Sequence, residues 1–575
     1  MTSDRSRRAC SAPARSLPLA LALLLTAGVL PTPAQVPDST SGVGGGPPPA
    51  GGAELTLGEV DFPVTASNDE ARREFALGVL ALHSFWYQEA VEHFRRARQL
   101  EPGLAMAYWG EAMAHDRPFW GLPPDTAAAR AVLSELDAAE ADGTIPAKLT
   151  DRERAWLKTA RALYAREGSL GDRRRSVAEG LEGIAERWPG DDEARVFSVL
   201  YRMSLEDWDP RDEADVERVA AVLEDVFERR PRHPGAAHYL IHAYDSPEFA
   251  ERGLEAARAF AAIAPSSSHA LHMPSHIFFE LGMWTEAVRS NEEAWKATVA
   301  WAEREGRPAV DLDFHPLGWW IFALTQQGRF EEAAEKIRVL ERHIAAIWSD
   351  GPPRTPTGLR LPVLAALTRS SYVVEARAAG LGGDEVETGV APEVARQLTE
   401  INPGMTVMLP LTEARTAAGA RLEAILNEAR AAAEGGSGGA PVGNPRELVA
   451  FLEGRVALEA GDTTAALDAL DRAAELREES GQILPHVLFP MPREVRGKVL
   501  LAAGRPRAAL ADFRSVLEEA PRRPRSLLGA ARAADAAGDA EAAAARYREL
   551  LDVWTEANQG LPAAEEARTY LDGEG

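Results

Sequence analysis

One short pattern, a glycine followed five residues later by alanine and, at all sites but Gly461, two residues later by an apolar residue, recurs along this 575-residue chain. It appears at Gly282-Met283-Trp284-Thr285-Glu286-Ala287, at Gly328 to Ala333, at Gly461 to Ala466, at Gly504 to Ala509 and at Gly538 to Ala543. The last two glycines stand 34 residues apart, and Phe513 and Tyr547 follow Ala509 and Ala543 at the same offset. Leu77, Gly78, Ala81, Ala90, Phe94, Ala97 and Pro102 lay out the same unit near the amino end. Small residues at Gly78, Ala90 and Ala97 let two helices approach closely, large ones fill the gaps, and Pro102 stops the second helix.

A 34-residue period of this composition is the tetratricopeptide (TPR) repeat, a hairpin of two antiparallel helices. One hairpin cannot bury its own apolar face, so neighbours stack and wind into a right-handed superhelical solenoid with a concave inner wall. From Glu54 onward apolar residues recur at helical spacing and alternating runs are scarce, which predicts an all-α chain. Residues 55–379 read as an N-terminal TPR solenoid with a histidine-rich groove and residues 446–575 as a C-terminal one. Between them, 380–445 reads as an irregular connector, broken by Gly380-Leu381-Gly382-Gly383, Asn402-Pro403-Gly404 and Gly435-Gly436-Ser437-Gly438-Gly439.

The first 34 residues have the form of a signal peptide: arginines at 5, 7, 8 and 15, an apolar run from Leu17 to Leu30, then the small-residue site Thr32-Pro33-Ala34. Export to a periplasm or the extracellular space is the expectation. Residues 35–54, rich in Gly and Pro, read as a flexible linker. The sole cysteine, Cys10, precedes the apolar run, so a chain cleaved after Ala34 has no thiol for disulfides, thiolate ligands or nucleophilic catalysis. A net charge of −25 argues against nucleic acid as a partner. No basic amphipathic helix is evident, and the apolar run is too short for the ~20 residues that span a bilayer.

Four further strings are specific: Leu82-His83-Ser84-Phe85-Trp86, Ala105-Met106-Ala107-Tyr108-Trp109-Gly110, His238-Tyr239-Leu240-Ile241-His242-Ala243-Tyr244-Asp245 and His269-Ala270-Leu271-His272-Met273-Pro274-Ser275-His276. On these the chain resembles an uncharacterised family of exported bacterial tetratricopeptide-repeat proteins. The resemblance spans most of residues 55–575 and implies the fold, not an activity.

Signatures of catalysis are sparse. The Gly435 to Gly439 string matches the hydrolase pattern Gly-x-Ser-x-Gly, but that elbow needs a strand-to-helix turn and here sits in a Gly/Ala-rich stretch. Phosphate-binding loops, dinucleotide fingerprints and His-Glu-x-x-His are absent. Tryptophans such as Trp86, Trp109, Trp120, Trp284, Trp319 and Trp320 are expected to fill inter-helix space. Trp319 and Trp320 project about 100° apart on a helix, so one of them can face the groove.

The histidines stand out. Of 12, six (His233, His238, His242, His269, His272 and His276) fall within 44 residues, and His315 follows at the start of the next repeat. His238/His242 and His272/His276 are i, i+4 pairs and His269/His272 an i, i+3 pair, each on one helical face. With Ala287 at repeat position 20, His269, His272 and His276 take positions 2, 5 and 9. Ala333 likewise places His315 at position 2. In peptide-binding domains of this type those positions line the concave wall. His242 reaches that wall too, whereas His238 falls at a packing position.

Two readings follow. The first is an exported TPR binding or scaffold module that holds a peptide or protein in its groove, with no catalytic residue assigned. The alternative is a metal-binding protein or metalloenzyme using His242, His269, His272, His276 and His315, with His238 and Asp245 as further candidates. Imidazole ligation without thiolate favours zinc, copper or nickel.

Overall fold

The computed structural model describes residues 55–119, 123–145, 149–205, 208–210, 212–353, 355–382, 386–401, 405–434, 445–480 and 491–573. The expected signal peptide, the linker to residue 54, Trp120 and the Gly435 to Gly439 string lie outside them. Helices joined by turns and loops make up the described residues, with no strand among them.

The repeat turns form for the reason the sequence suggests. Gly282, Gly328, Gly461, Gly504 and Gly538 all take positive φ, between 63° and 81°, a conformation that side chains other than glycine resist. Within the hairpins, Phe94 is clamped between two glycines. A Cβ on Gly78 would lie 2.6 Å from its ring, and one on Gly110 2.3 Å. Gly497 and Gly529 grip Phe513 in the same way near the carboxyl end. Side chains finish the helix starts: Asn68 accepts from the amides of Glu70 and Ala71, and Thr150 with Glu153 forms a reciprocal capping box.

The inner wall of the first solenoid closes on itself. Trp301, near the end of the long Trp284–Glu305 helix, donates its indole N–H to Glu89 Oε1 in the first hairpin at 2.7 Å, and Arg307 pairs with Glu92. From the other side, the amino-terminal segment is pinned across distant repeats: Glu59 N donates to Arg232 O at 2.9 Å, and Thr56 N to Ser266 Oγ at 2.9 Å. What a regular solenoid leaves as a groove is here packed interior.

The carboxyl-terminal hairpins fold back onto the middle ones. Trp284 Nε1 donates to Arg522 O at 3.1 Å, Trp554 Nε1 to Gln326 O at 3.0 Å, and Asn558 N to Gly328 O at 3.0 Å. One buried apolar cluster accordingly runs from Phe278 to Ala567. No helix among the described residues is long and apolar enough to cross a membrane.

Candidate metal centre

Four short helices deliver the histidines. His238 and His242 lie on Pro234–Ala243, His269 and His272 on Ser268–His272, His276 on Pro274–Glu280, and His315 opens His315–Gln326. Pro274 has no amide proton to continue the bonding of the preceding helix, so the chain breaks after His272 and restarts. The i, i+4 pair His272/His276 straddles that break.

The donor nitrogens of His272, His276 and His315 lie within 4.8 Å of one another. Two of these rings have an assignable tautomer. Asn291 gives its amide N–H to Ala287 O at 2.8 Å, which leaves its Oδ1 to accept from His272 Nδ1–H at 2.6 Å. His276 Nδ1–H donates to Asp245 Oδ2 at 2.8 Å. In their neutral forms both rings therefore carry a lone pair on Nε2, and these two atoms face each other at 3.1 Å. Lone pairs at that distance repel unless something electrophilic lies between them. Two nitrogens bound tetrahedrally to one ion at 2.0–2.1 Å would be about 3.4 Å apart, so the spacing is close to that of a chelating pair.

His238, His242 and His269 form a second triad, its donor atoms again within 4.8 Å. His238 Nδ1–H donates to the carbonyl of His83 at 2.6 Å, leaving Nε2 as an acceptor 3.1 Å from His269 Nε2. His242 Nε2 is buried without a hydrogen-bond partner. Phe85 holds a positive φ of 50°, rare for a residue with a side chain, and sets its ring 4.4 Å from His238, 5.3 Å from His269 and 5.7 Å from His242. Phe119 stacks on His242 at 4.5 Å.

A third cluster, His83, Glu193 and His233, meets the same distance criterion but has different chemistry. His233 Nδ1 accepts from Ala236 N, so its Nε2–H donates to Glu193 Oε1 at 3.2 Å. His83 Nε2–H donates to Glu193 Oε2 at 2.7 Å, and its Nδ1 is bonded to Tyr239 OH at 3.0 Å. Every donor has its acceptor, and the two histidines hold the Glu193 carboxyl far below its usual range despite burial. This cluster is a closed hydrogen-bonded brace, and its His83 carbonyl orients His238.

Burial favours the neutral form of five rings, His238, His242, His269, His272 and His315. It pushes His238 and His315 down to about 3, and lowers His242, His269 and His272 well below 6.5, neighbouring imidazoles adding to the effect. Two carboxyls nearby are moved the other way, also by burial: Asp313 up to about 7, and Glu280 well above its normal value. A cleft lined by Phe85, Ser267, Trp301, Asp311 and Asp313 leads to His269.

Measured against the sequence reading, the structure gathers all five expected histidines but divides them, His242 and His269 into one triad and His272, His276 and His315 into the other. His238, assigned to a packing position, instead belongs to the first triad, because the register of its hairpin is displaced. Asp245 touches the ring nitrogen of His276 and acts as its orienting partner. The wall expected to be open is not: His269, His272, His276 and His315 are 7%, 0%, 5% and 2% exposed. Of the adjacent tryptophans, Trp319 faces the site, its ring 4.5 Å from that of His276, whereas Trp320 lies beneath Lys336. Asn291, 19 residues after His272, sets the tautomer of that ring. The brace of His83 with Glu193 carried no local signal, since its members are 110 residues apart.

No protein-family model and no curated protein matches the chain. Among solved structures, two human IFIT1 dimers, one with m7Gppp-AAAA and one with PPP-AAAA, are similar to it at 12% identity. The alignments cover 85% of this chain and 96% and 95% of theirs, with TM-scores of 0.38 and 0.37.

Proposed function

We propose that this helical-repeat protein binds a transition metal through His272, His276 and His315. One observation carries the reading: two Nε2 atoms, both left as acceptors in the neutral rings by Asn291 and Asp245, face each other at 3.1 Å, with both histidines buried. A shared proton is the competing way to relieve that contact, and burial of His272 opposes it at neutral pH. A bound cation relieves the contact without protonating either ring. Three neutral imidazoles suit zinc, copper or nickel and leave a fourth position of a tetrahedral ion open. The ring nitrogens facing away from the site are engaged by a carboxamide and a carboxylate, as second partners of metal-bound histidines commonly are.

The alternative of a peptide or protein held in a concave groove meets a wall that, around the histidines, is filled by the chain's own side chains. The expected signal peptide makes an exported site part of the same proposal.

The test is thermal unfolding of chelator-treated protein at neutral pH with and without zinc, copper(II) or nickel. A metal held at 100 times its Kd raises stability by about 2.7 kcal/mol. The double variant His272→Ala/His276→Ala should lose the shift. Because both residues are buried, circular dichroism checks its fold, and His315→Ala at a helix start serves should the double variant unfold. No thermal shift of the wild type with any of the three metals would refute the proposal.

A further inference from the structure

Resting on that reading, we infer that the two histidine triads form one dinuclear centre, each ion held by three imidazoles. The triads are not separate sites. His269 of one and His272 of the other stand on the same five-residue helix with ring centroids 6.1 Å apart, within the range of direct ring contact. His242 of the first lies 6.2 Å from His276 of the second. The two triads thus meet along two imidazole pairs.

Each triad also has the same internal plan. In each, one ring is locked by a bond from Nδ1, His238 to the carbonyl of His83 and His272 to Asn291, and its Nε2 then points at a second Nε2 3.1 Å away. A third ring completes each set, His242 with a buried Nε2 that has no hydrogen-bond partner, and His315 with its ring 4.4 Å from that of His272. The brace of His83, His233 and Glu193 shows what a purely structural histidine cluster looks like in the same protein: every N–H points at an acceptor. The triads differ from it in setting imidazole Nε2 atoms against one another with no carboxylate between them.

The donor set is all imidazole, so no protein carboxylate bridges the ions, and each ion with three ligands has a position left for a ligand from solvent. A small anion spanning the pair satisfies both ions and offsets part of their charge. The cleft lined by Phe85, Trp301 and Asp313 leads to His269 and supplies the route. Azide is the probe of that bridging position.

The experiment uses the full chain, stripped with chelator, loaded with copper(II) and freed of excess metal, with copper counted by elemental analysis and electron paramagnetic resonance recorded on the same sample. Two ions per chain are expected, with a resonance intensity well below that of two isolated copper(II) ions because neighbouring spins couple, and an azide-to-copper absorption band on adding azide. His238→Ala and His315→Ala should each reduce the content to one ion and restore its full resonance. Two ions with full, uncoupled intensity would overturn the dinuclear assignment. One ion in the wild type, lost in His315→Ala and kept in His238→Ala, would overturn it too while leaving the single-metal reading intact. No copper retained would overturn both.

Discussion

His272 and His276, one helical turn apart across the break at Pro274, face each other Nε2 to Nε2 at 3.1 Å, while Asn291 and Asp245 each accept a hydrogen bond from the Nδ1–H of one ring. With both rings neutral, neither Nε2 can donate to the other, and that local conflict is the reason to assign a ligand to the site.

The orienting residues should therefore matter for binding more than for folding. Asn291→Leu removes the acceptor that fixes His272, and Asp245→Asn weakens the hold on His276. Loss of such outer partners commonly costs about 10–100-fold in metal affinity. Competition titrations against a chelator should show that loss in each variant, and restored affinity in Asp245→Glu would tie the effect to the carboxylate. Affinities equal to wild type would mean that neither contact tunes the site.

Acid should destabilise the metal-free protein from pH 6.5 downward. His238 and His315 are held to about 3 when folded, whereas the unfolded chain takes up these protons near 6.5. Below that pH the unfolded state binds protons the folded state refuses, so stability is complete above 6.5 and falls toward 3. Two such groups give a slope of about 3 kcal/mol per pH unit in this window. Urea unfolding at pH 7, 6 and 5 measures it, and a flat profile would show that the rings are solvated or partnered by charge. Metal loss on acidification should accordingly accompany unfolding instead of following imidazole protonation near its ordinary value of about 6.5.

Gly78→Leu tests the repeat packing. The first carbon of the new side chain would fall 2.6 Å from the Phe94 ring, which Gly110 already confines from the other side. Overpacking of this kind costs about 1–3 kcal/mol. An unchanged denaturation midpoint would show that the hairpin contact is looser than described.

Glu193→Gln separates the brace from the metal site. Glu193 accepts from both His83 and His233 in a fully buried position, and hydrogen bonds to charged groups are worth about 1.5–3 kcal/mol each. The variant should be less stable by about 3 kcal/mol and still retain the wild-type number of metal ions per chain. Loss of an ion would show the brace to be a metal site in its own right.

Much of the fold was legible because its constraints are local. A turn that needs positive φ selects glycine at Gly282, Gly328 and Gly538, and a helix crossing at van der Waals distance selects Gly78 opposite Phe94. The histidines were legible through i, i+4 spacing, which survives the break at Pro274. Burial of the site was not. It depends on Trp301 reaching Glu89, 212 residues away, and no local periodicity encodes a superhelix closing on itself. The role of His238 was hidden for a related reason, since its Nδ1 partner is the carbonyl of His83, 155 residues earlier.

The central claim is a metal ion on His272, His276 and His315, and X-ray absorption at the metal edge reads that coordination directly. Protein loaded with zinc or copper and dialysed free of excess metal should show a nitrogen shell at about 2.0–2.1 Å with the outer-shell scattering of imidazole rings and no sulfur. His272→Ala/His276→Ala should lose that signal. Metal that washes out on dialysis, or a shell of oxygen without imidazole scattering, would contradict the account.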